Sequence, residues 1–214
     1  MSGEPTTRAV ADEIDPRPVL QRTTLHRGRV IDLVREDADL GEAGVVTREY
    51  VDHPGAVAIV ALDDQDRVLL LRQYRHPVRS YLWEVPAGLL DVAGEPAVDA
   101  AARELAEEAD VTAQRWAVLA DYATTPGSSN EAVRIFLARG LTDVPEVDRH
   151  LRTDEEADME VRRVPLDEAV ALVLDGSLHN PSAVVGILAA AASRARGWTS
   201  LRDVDAPWPY RRSA

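Results

Sequence analysis

The chain of 214 residues contains no cysteine and no lysine, so that all 24 of its basic residues are arginine. The absence of cysteine excludes disulfide bonds, thiolate metal sites and thiol catalysis. Its longest apolar run, residues 183–192, is far shorter than the roughly 20 residues of a membrane-spanning helix. Residues 1–16 are polar, do not resemble a secretory signal and are predicted to form a flexible tail. We therefore expect a soluble, cytoplasmic protein.

Acidic residues outnumber basic ones by 37 to 24, which gives a formal net charge of −13 and a pI near 4.8. Such a surplus disfavours non-specific binding to nucleic acid and to anionic membranes, because both partners are negatively charged. This charge allows a cationic partner, or an anionic partner that binds together with metal ions. The hydrophobic fraction of 45% is sufficient for a core, and the length fits one substantial domain, or one domain with a smaller appendage.

Hydrophobic patterning divides the chain at the turn-forming segment His53-Pro54-Gly55. Residues 17–53 alternate as short strands do and are predicted to form a small N-terminal antiparallel β-domain. Residues 54–214 mix strands and helices without regular alternation, which favours an α+β fold with a mixed sheet. Within them we predict a hairpin of two strands over 56–63 and 67–75, and helices over 95–109, 166–175 and 181–196, the last capped by Asn180.

The predicted helix over 95–109 carries an unusual density of carboxylates. Glu104 and Glu108 are four residues apart and share a face, and Glu107 flanks them. These like charges repel each other, and a divalent cation with oxygen ligands would remove the repulsion. A solvated surface helix with an Arg103–Glu107 ion pair is the alternative. The composition of the helix alone favours that alternative, and the wider motif favours the metal site.

This wider motif consists of Gly88, six residues, Glu95, seven residues and then Arg-Glu-Leu-Ala-Glu-Glu-Ala-Asp-Val over 103–111. It resembles the signature of the Nudix hydrolases, in which five residues follow the glycine and the last segment reads Arg-Glu-aliphatic-x-Glu-Glu-x-Gly-aliphatic. Eight of the nine specified positions match. One departure lengthens a loop, and the other places Asp110 at the closing glycine. We expect Asp110 to adopt a left-handed conformation with modest strain.

Three features outside this motif narrow the resemblance to ADP-ribose pyrophosphatases, especially the actinobacterial ones. LRQYR precedes WEVPAG, Pro126-Gly127 begins sixteen residues after Asp110, and EEADM follows at 155–159. The resemblance implies a Nudix fold over residues 54–214, with a mixed sheet sandwiched between helices. It also implies that residues 17–53 pair two subunits in a homodimer.

The resemblance further assigns roles to the motif residues. Glu104, Glu108 and the backbone carbonyl of Ala87 would ligate Mg²⁺, with Mn²⁺ as an alternative ion. Glu107 would be a further ligand or would hold a water molecule. Glu156 or its neighbour Glu155 would be the general base or would orient the attacking water, although residues 154–160 alone would suggest a solvated acidic loop.

Substrate contacts and structural roles are likewise implied. Gly88 and Arg75 would contact the substrate, with Arg75 at the diphosphate, although arginines at strand ends are usually solvated. Arg48 would lie near the adenine, and Glu131 would reach the terminal ribose, in its own site or in that of the other subunit. The remaining motif residues, Glu95, Arg103 and Pro126, would be structural.

The implied activity is metal-dependent hydrolysis of the diphosphate of ADP-ribose to AMP and ribose 5-phosphate. Two alternatives remain: hydrolysis of another nucleoside diphosphate, such as a nucleotide sugar, NADH or a diadenosine polyphosphate, and a non-catalytic ligand sensor. Among the aromatic residues, Tyr81 and Trp83 are predicted to pack in the core. For Trp198 and Trp208, the sequence leaves open whether they pack the C-terminal tail against the domain.

Overall fold

The computed structural model describes residues 10–150 and 159–211. Within them the chain forms ten strands and three α-helices. The strands are β1 (Val19–Arg27), β2 (Asp32–Asp39), β3 (Val45–Asp52), β4 (Ala56–Ala61), β5 (Arg67–Arg75), β6 (Ser80–Glu84), β7 (Ala87–Leu89), β8 (Val111–Ala123), β9 (Ala132–Asp143) and β10 (Glu160–Pro165). The helices are α1 (Ala97–Ala109), α2 (Leu166–Leu174) and α3 (Pro181–Ala195).

The first three strands form an antiparallel sheet of their own, in the order β1-β2-β3. Every residue of β1 is exposed. Exposed apolar side chains also lie in and beside these strands, among them Leu20, Leu25 and Leu33. The separate sheet agrees with the β-domain predicted for residues 17–53, whose boundaries and pairing role stay a prediction.

The central sheet has the order β7-β4-β9-β8 and is mixed, because β4 and β9 are parallel and the other pairs are antiparallel. Successive side chains of a strand point to opposite faces. Val57, Ile59 and Ala61 therefore join the core cluster that contains residues of α1, and their neighbours in β4 join the cluster that contains residues of α2 and α3. The α+β fold with a sheet between helices is thus confirmed.

The predicted hairpin over 56–63 and 67–75 is only partly right. The two segments form an antiparallel bridge between Leu62 and Val68. Beyond this bridge β5 leaves the central sheet and pairs with β6 and β10. Each segment contains a continuous apolar run, residues 56–62 and residues 68–71, and such a run indicates burial on two faces without specifying the neighbouring strand.

Asp63 fixes the turn between β4 and β5. Its Oδ1 accepts hydrogen bonds from the backbone N–H groups of Gln65 and Arg67, both at 2.9 Å, and its Oδ2 accepts one from Arg67 Nε at 2.7 Å. Burial alone would raise the pKa of Asp63. These hydrogen bonds outweigh burial and hold the pKa below its ordinary value of 3.8. The ionised form of Asp63 therefore stabilises the fold.

We expect Asp63→Asn to lower the free energy of unfolding by about 1 kcal/mol at pH 7, because hydrogen bonds to a charged acceptor become neutral ones. Since the pKa is depressed, this contribution is present above pH 3.8 and disappears as the pH falls through the lower pKa of the folded state. Urea denaturation of both proteins from pH 7 to pH 3 measures it. Asp64→Asn, at the exposed neighbouring position, is the control. A difference between wild type and Asp63→Asn that stays constant with pH would contradict the assignment.

The C-terminal part of the chain packs back onto the domain. The Asn180 side chain caps α3 by accepting a hydrogen bond from Ala183 N at 2.9 Å, as predicted. Trp208 packs against the core cluster on the α1 side of the central sheet, and Trp198 packs against the other cluster. The two tryptophans thus hold the tail against the domain.

Of the two aromatic residues before the motif, Trp83 packs against the core as predicted. The prediction for Tyr81 is wrong, because this residue is 59% exposed. It lies on β6 opposite Tyr74 and below the guanidinium of Arg72, whose central carbon is 4.2 Å from the ring centre. In the part of the chain that the structure describes, no helix is long and apolar enough to cross a membrane.

Candidate active site

The predicted metal ligands meet where β7 lies against α1. Ala87 N donates a hydrogen bond to Glu108 Oε2 at 2.9 Å, and Glu108 is only 8% exposed. Gly88 lies against Glu104, since a Cβ atom at this position would be 2.1 Å from the Glu104 carboxylate. A larger residue at position 88 would displace that side chain. The fold therefore brings together residues from the two ends of the sequence motif.

Arg103 connects the loop before α1 to the carboxylates on the helix. Its Nε and Nη2 donate to the two carboxylate oxygens of Glu95, and its Nη1 donates to Glu104 at 2.6 Å and to Glu107 at 3.3 Å. The hydrogen bond with Glu95, followed by those with Glu104, outweighs partial burial and raises the pKa of Arg103 above its ordinary value. The ion pair between Arg103 and Glu107 is the one expected from their spacing.

The two ends of α1 follow from local backbone chemistry. The helix begins at Ala97 and not at Glu95 as predicted, because Pro96 adopts the extended conformation of an N-cap with φ −60° and ψ 141°. It ends at Ala109, and the C-cap residue Asp110 adopts the expected left-handed conformation with φ 54° and ψ 37°. Asp tolerates this region better than most residues other than glycine, which explains how it replaces the glycine of the motif.

The chemistry of this cluster suits a hard divalent cation. Glu104, Glu107 and Glu108 offer carboxylate oxygens from about one turn of a single helix, and Mg²⁺ prefers oxygen ligands. Within residues 10–150 and 159–211, no group of three acidic or histidine side chains is arranged as a set of metal ligands. The ion pairs with Arg103 orient two of the carboxylates instead. The donor types therefore fit the ion, and the ligand set itself stays a prediction.

The other predicted residues occupy several places. Arg75 makes a bidentate ion pair with the buried carboxylate of Glu84, with N–O distances of 2.9 and 2.6 Å. Glu131 accepts a hydrogen bond from Thr124 Oγ1 at 2.8 Å and lies 3.5 Å from His53 Nε2. Glu155 and Glu156 lie outside the described residues.

Arg48 and Pro126, predicted separately, line one groove of about 760 Å³. We call it the Arg48–Pro126 groove. Its wall also contains Tyr50 from β3 and Tyr210 from the C-terminal segment. Arg48 is exposed, and its Nη1 donates to the Thr47 carbonyl. The groove therefore brings together three parts of the chain that are far apart in sequence.

Two contributions to this region were not predicted. Arg134, on β9, is 3% exposed and holds the C-terminal segment, and Tyr210 in that segment lines the groove. An arginine within the apolar strand AVRIFLA was a signal in the sequence, because a buried charge requires partners. No local pattern indicated Tyr210, whose neighbours in the groove, apart from the adjacent Pro209, are at least 78 residues away along the chain.

Comparison with known proteins identifies the family. Residues 52–183 match the model of the NUDIX domain. The chain is 46% identical over 191 residues to an ADP-ribose pyrophosphatase of Mycobacterium tuberculosis, an alignment that covers 89% of this chain and 90% of the relative. It is 36% identical over 168 residues to an ADP-ribose pyrophosphatase of Bacillus subtilis, covering 78% and 89% of the two chains.

Two further similarities bear on function and fold. A protein of Bacillus methanolicus described as a methanol dehydrogenase activator is 31% identical, with 75% of this chain and 84% of the relative covered. A crystal structure of an ADP compounds hydrolase superposes with a TM-score of 0.69 at 25% identity, covering 87% of this chain and 99% of the other. The family model spans more than half of the chain and includes the β7–α1 cluster. This protein belongs to the Nudix hydrolase family.

Proposed function

We propose that this protein hydrolyses the diphosphate bond of ADP-ribose to give AMP and ribose 5-phosphate. The observation that carries the proposal is the contact of Ala87 and Gly88 with Glu108 and Glu104. It joins both ends of an almost complete Nudix motif in one cluster. The similarity to two ADP-ribose pyrophosphatases over most of their length supports the choice of substrate.

Glu104, Glu108 and the Ala87 carbonyl are the proposed ligands of Mg²⁺, or of Mn²⁺ in its place. When bound, such an ion supplies charge neutralisation for the diphosphate and lowers the pKa of a coordinated water. Glu107 adds a ligand or holds a water molecule. Arg103 keeps Glu104 and Glu107 in position through the ion pairs described above, and through Glu95 it ties them to the loop before the helix.

The remaining proposed roles are those that the resemblance to ADP-ribose pyrophosphatases implies. Glu156 or Glu155 accepts the proton of the attacking water, whose oxygen bonds to one phosphorus while the bridging P–O bond breaks. Arg75, with its guanidinium oriented by Glu84, binds the diphosphate. Arg48 lies near the adenine, and Glu131 contacts the terminal ribose.

Two other functions remain as alternatives. Hydrolysis of another nucleoside diphosphate, such as a nucleotide sugar, would require the same carboxylates. A different molecule would then occupy the groove. The relative that is 31% identical is described as a methanol dehydrogenase activator, which is a different function from ADP-ribose hydrolysis. A non-catalytic sensor is disfavoured by the complete set of carboxylates at 104, 107 and 108.

A substrate panel tests the proposal. The purified protein is incubated with Mg²⁺ and, separately, ADP-ribose, NADH, UDP-glucose, diadenosine polyphosphates and dNTPs, and the nucleotide products are quantified. We expect ADP-ribose to be among the best substrates and to yield AMP and ribose 5-phosphate in equal amounts. Preference for another diphosphate would refute the choice of substrate, and cleavage of none would favour the sensor.

The N-terminal sheet supports a homodimer as part of the proposal. In a single chain, all nine residues of β1 are exposed, together with apolar side chains beside it. Burying such side chains against a second copy would stabilise the pair. Sedimentation at micromolar concentration is expected to give a dimer, and a monomer there would contradict this assembly.

A further inference from the structure

The C-terminal segment, residues 203–211, contributes to the wall of the Arg48–Pro126 groove. Pro209 and Tyr210 line it together with Arg48, Tyr50 and Pro126. Tyr210 is 43% exposed, so a large part of its ring is available to a molecule in the groove. A side chain that is distant in sequence thus forms part of the predicted nucleotide site.

This segment is held on both sides of Tyr210. Before it, the buried Arg134 donates to the carbonyl oxygens of Ala206 at 2.8 Å and Pro207 at 3.1 Å. Asp121 in turn binds the Arg134 guanidinium through both of its oxygens. The Trp208 ring also packs against this guanidinium, whose central carbon is 4.8 Å from the ring centre.

After Tyr210, Arg211 Nη2 donates to the backbone carbonyl of Glu95 at 2.8 Å. Glu95 is also the residue whose side chain binds Arg103. The segment is therefore attached to the loop that carries the motif. Two fixed neighbours restrict the position of Tyr210, which reduces the entropy that a ligand must remove when it packs on the ring.

The groove is lined by planar side-chain groups on which a nucleobase can stack. Tyr50 and Tyr210 carry the aromatic rings among its lining residues, and Arg48 adds a planar guanidinium. Nucleobases bind proteins by stacking on such groups, because every base presents a π-face. The Tyr50 hydroxyl accepts a hydrogen bond from Arg22 Nη1 at 3.1 Å. Tyr210 is the more exposed of the two rings.

We propose that Tyr210 is a nucleobase-binding residue, on which the base of the nucleotide stacks in the Arg48–Pro126 groove. That the base is adenine rests on the proposed function. The C-terminal segment, which Arg134 and Arg211 hold in place, is then part of the nucleotide site. Removing the ring should therefore weaken binding of the base and leave binding of the sugar phosphate unchanged.

Isothermal titration of the full chain with AMP, and separately with ribose 5-phosphate, tests this inference. Loss of one base–aromatic stack corresponds to a dissociation constant that is larger by roughly 5- to 140-fold. We expect a loss in that range for AMP with Tyr210→Ala, full recovery with Tyr210→Phe, and unchanged ribose 5-phosphate binding in both. Tyr81→Ala, at another exposed tyrosine, which lies on β6 away from the groove residues, is the matched control and should bind AMP as the wild type does.

Several outcomes would overturn the inference. The wild type would bind no AMP, or wild type and Tyr210→Ala would bind AMP equally well. Tyr210→Ala would lose binding of AMP and of ribose 5-phosphate in parallel, or Tyr210→Phe would fail to restore AMP binding. Because titration requires no turnover, it is independent of the substrate panel. A chain that binds AMP through Tyr210 but does not cleave ADP-ribose would refute the proposed function and leave this inference standing.

Discussion

Replacing Glu108 by glutamine is expected to lower kcat/KM with ADP-ribose at least about 10³-fold, because a bound metal contributes several kcal/mol to the transition state. Glutamine has the same shape and keeps an oxygen that accepts the 2.9 Å hydrogen bond from Ala87 N. The contact between β7 and α1 should therefore persist, and the loss should come from the missing negative charge. Initial rates measured over a range of Mg²⁺ concentrations give the effect.

The matched control is Asp99→Asn, which removes one negative charge from the exposed face of the first turn of the same helix. It should alter the rate by no more than about twofold, as is usual for surface positions. Circular dichroism and urea denaturation establish that both variants are folded. A Glu108→Gln protein with activity within about tenfold of wild type would refute the role of Glu108 as a metal ligand.

Replacing Arg134 by alanine is expected to lower the free energy of unfolding by about 3 kcal/mol, since removing one partner leaves a buried charge network incomplete. The residue is 3% exposed and binds Asp121, two backbone carbonyls of the C-terminal segment and the face of Trp208. Arg202 still pairs with Asp121 at 2.9 Å, which limits the loss. Urea denaturation followed by circular dichroism measures it.

Arg35→Ala serves as the control for Arg134→Ala. Arg35 also pairs with a carboxylate on a neighbouring strand, but it and Glu49 are each 50% exposed. Such solvent-screened pairs contribute less than about 1 kcal/mol. If the two variants were destabilised equally, Arg134 would not be the anchor of the C-terminal segment.

Local chemistry made much of the fold predictable. The helix over 181–196 has a capping asparagine before it and a glycine after it, and the observed helix Pro181–Ala195 follows those signals closely. The left-handed conformation of Asp110 followed from its position at a helix end. These features depend on residues a few positions apart, whose interactions the sequence specifies directly.

The pairing of β5 was less predictable, for a physical reason. Two consecutive apolar strands joined by a short turn suggest a hairpin, yet β5 crosses to a sheet with β6 and β10. The choice depends on which neighbour covers each face of the strand, and this is a property of the assembled layers. Tyr81 illustrates the same limit, because an aromatic residue beside the motif was expected inside and lies outside.

The sequence by itself determined the chemistry of this protein: its charge surplus, the absence of thiols, and the spacing of Glu95, Arg103, Glu104, Glu107 and Glu108. Only the tertiary structure decided that Ala87 and Gly88 lie against those carboxylates, and that Arg48, Pro126 and Tyr210 share one groove. The reason is the range of the interactions. Helical spacing is set within a few residues, whereas the groove depends on long-range packing and on the buried charge of Arg134.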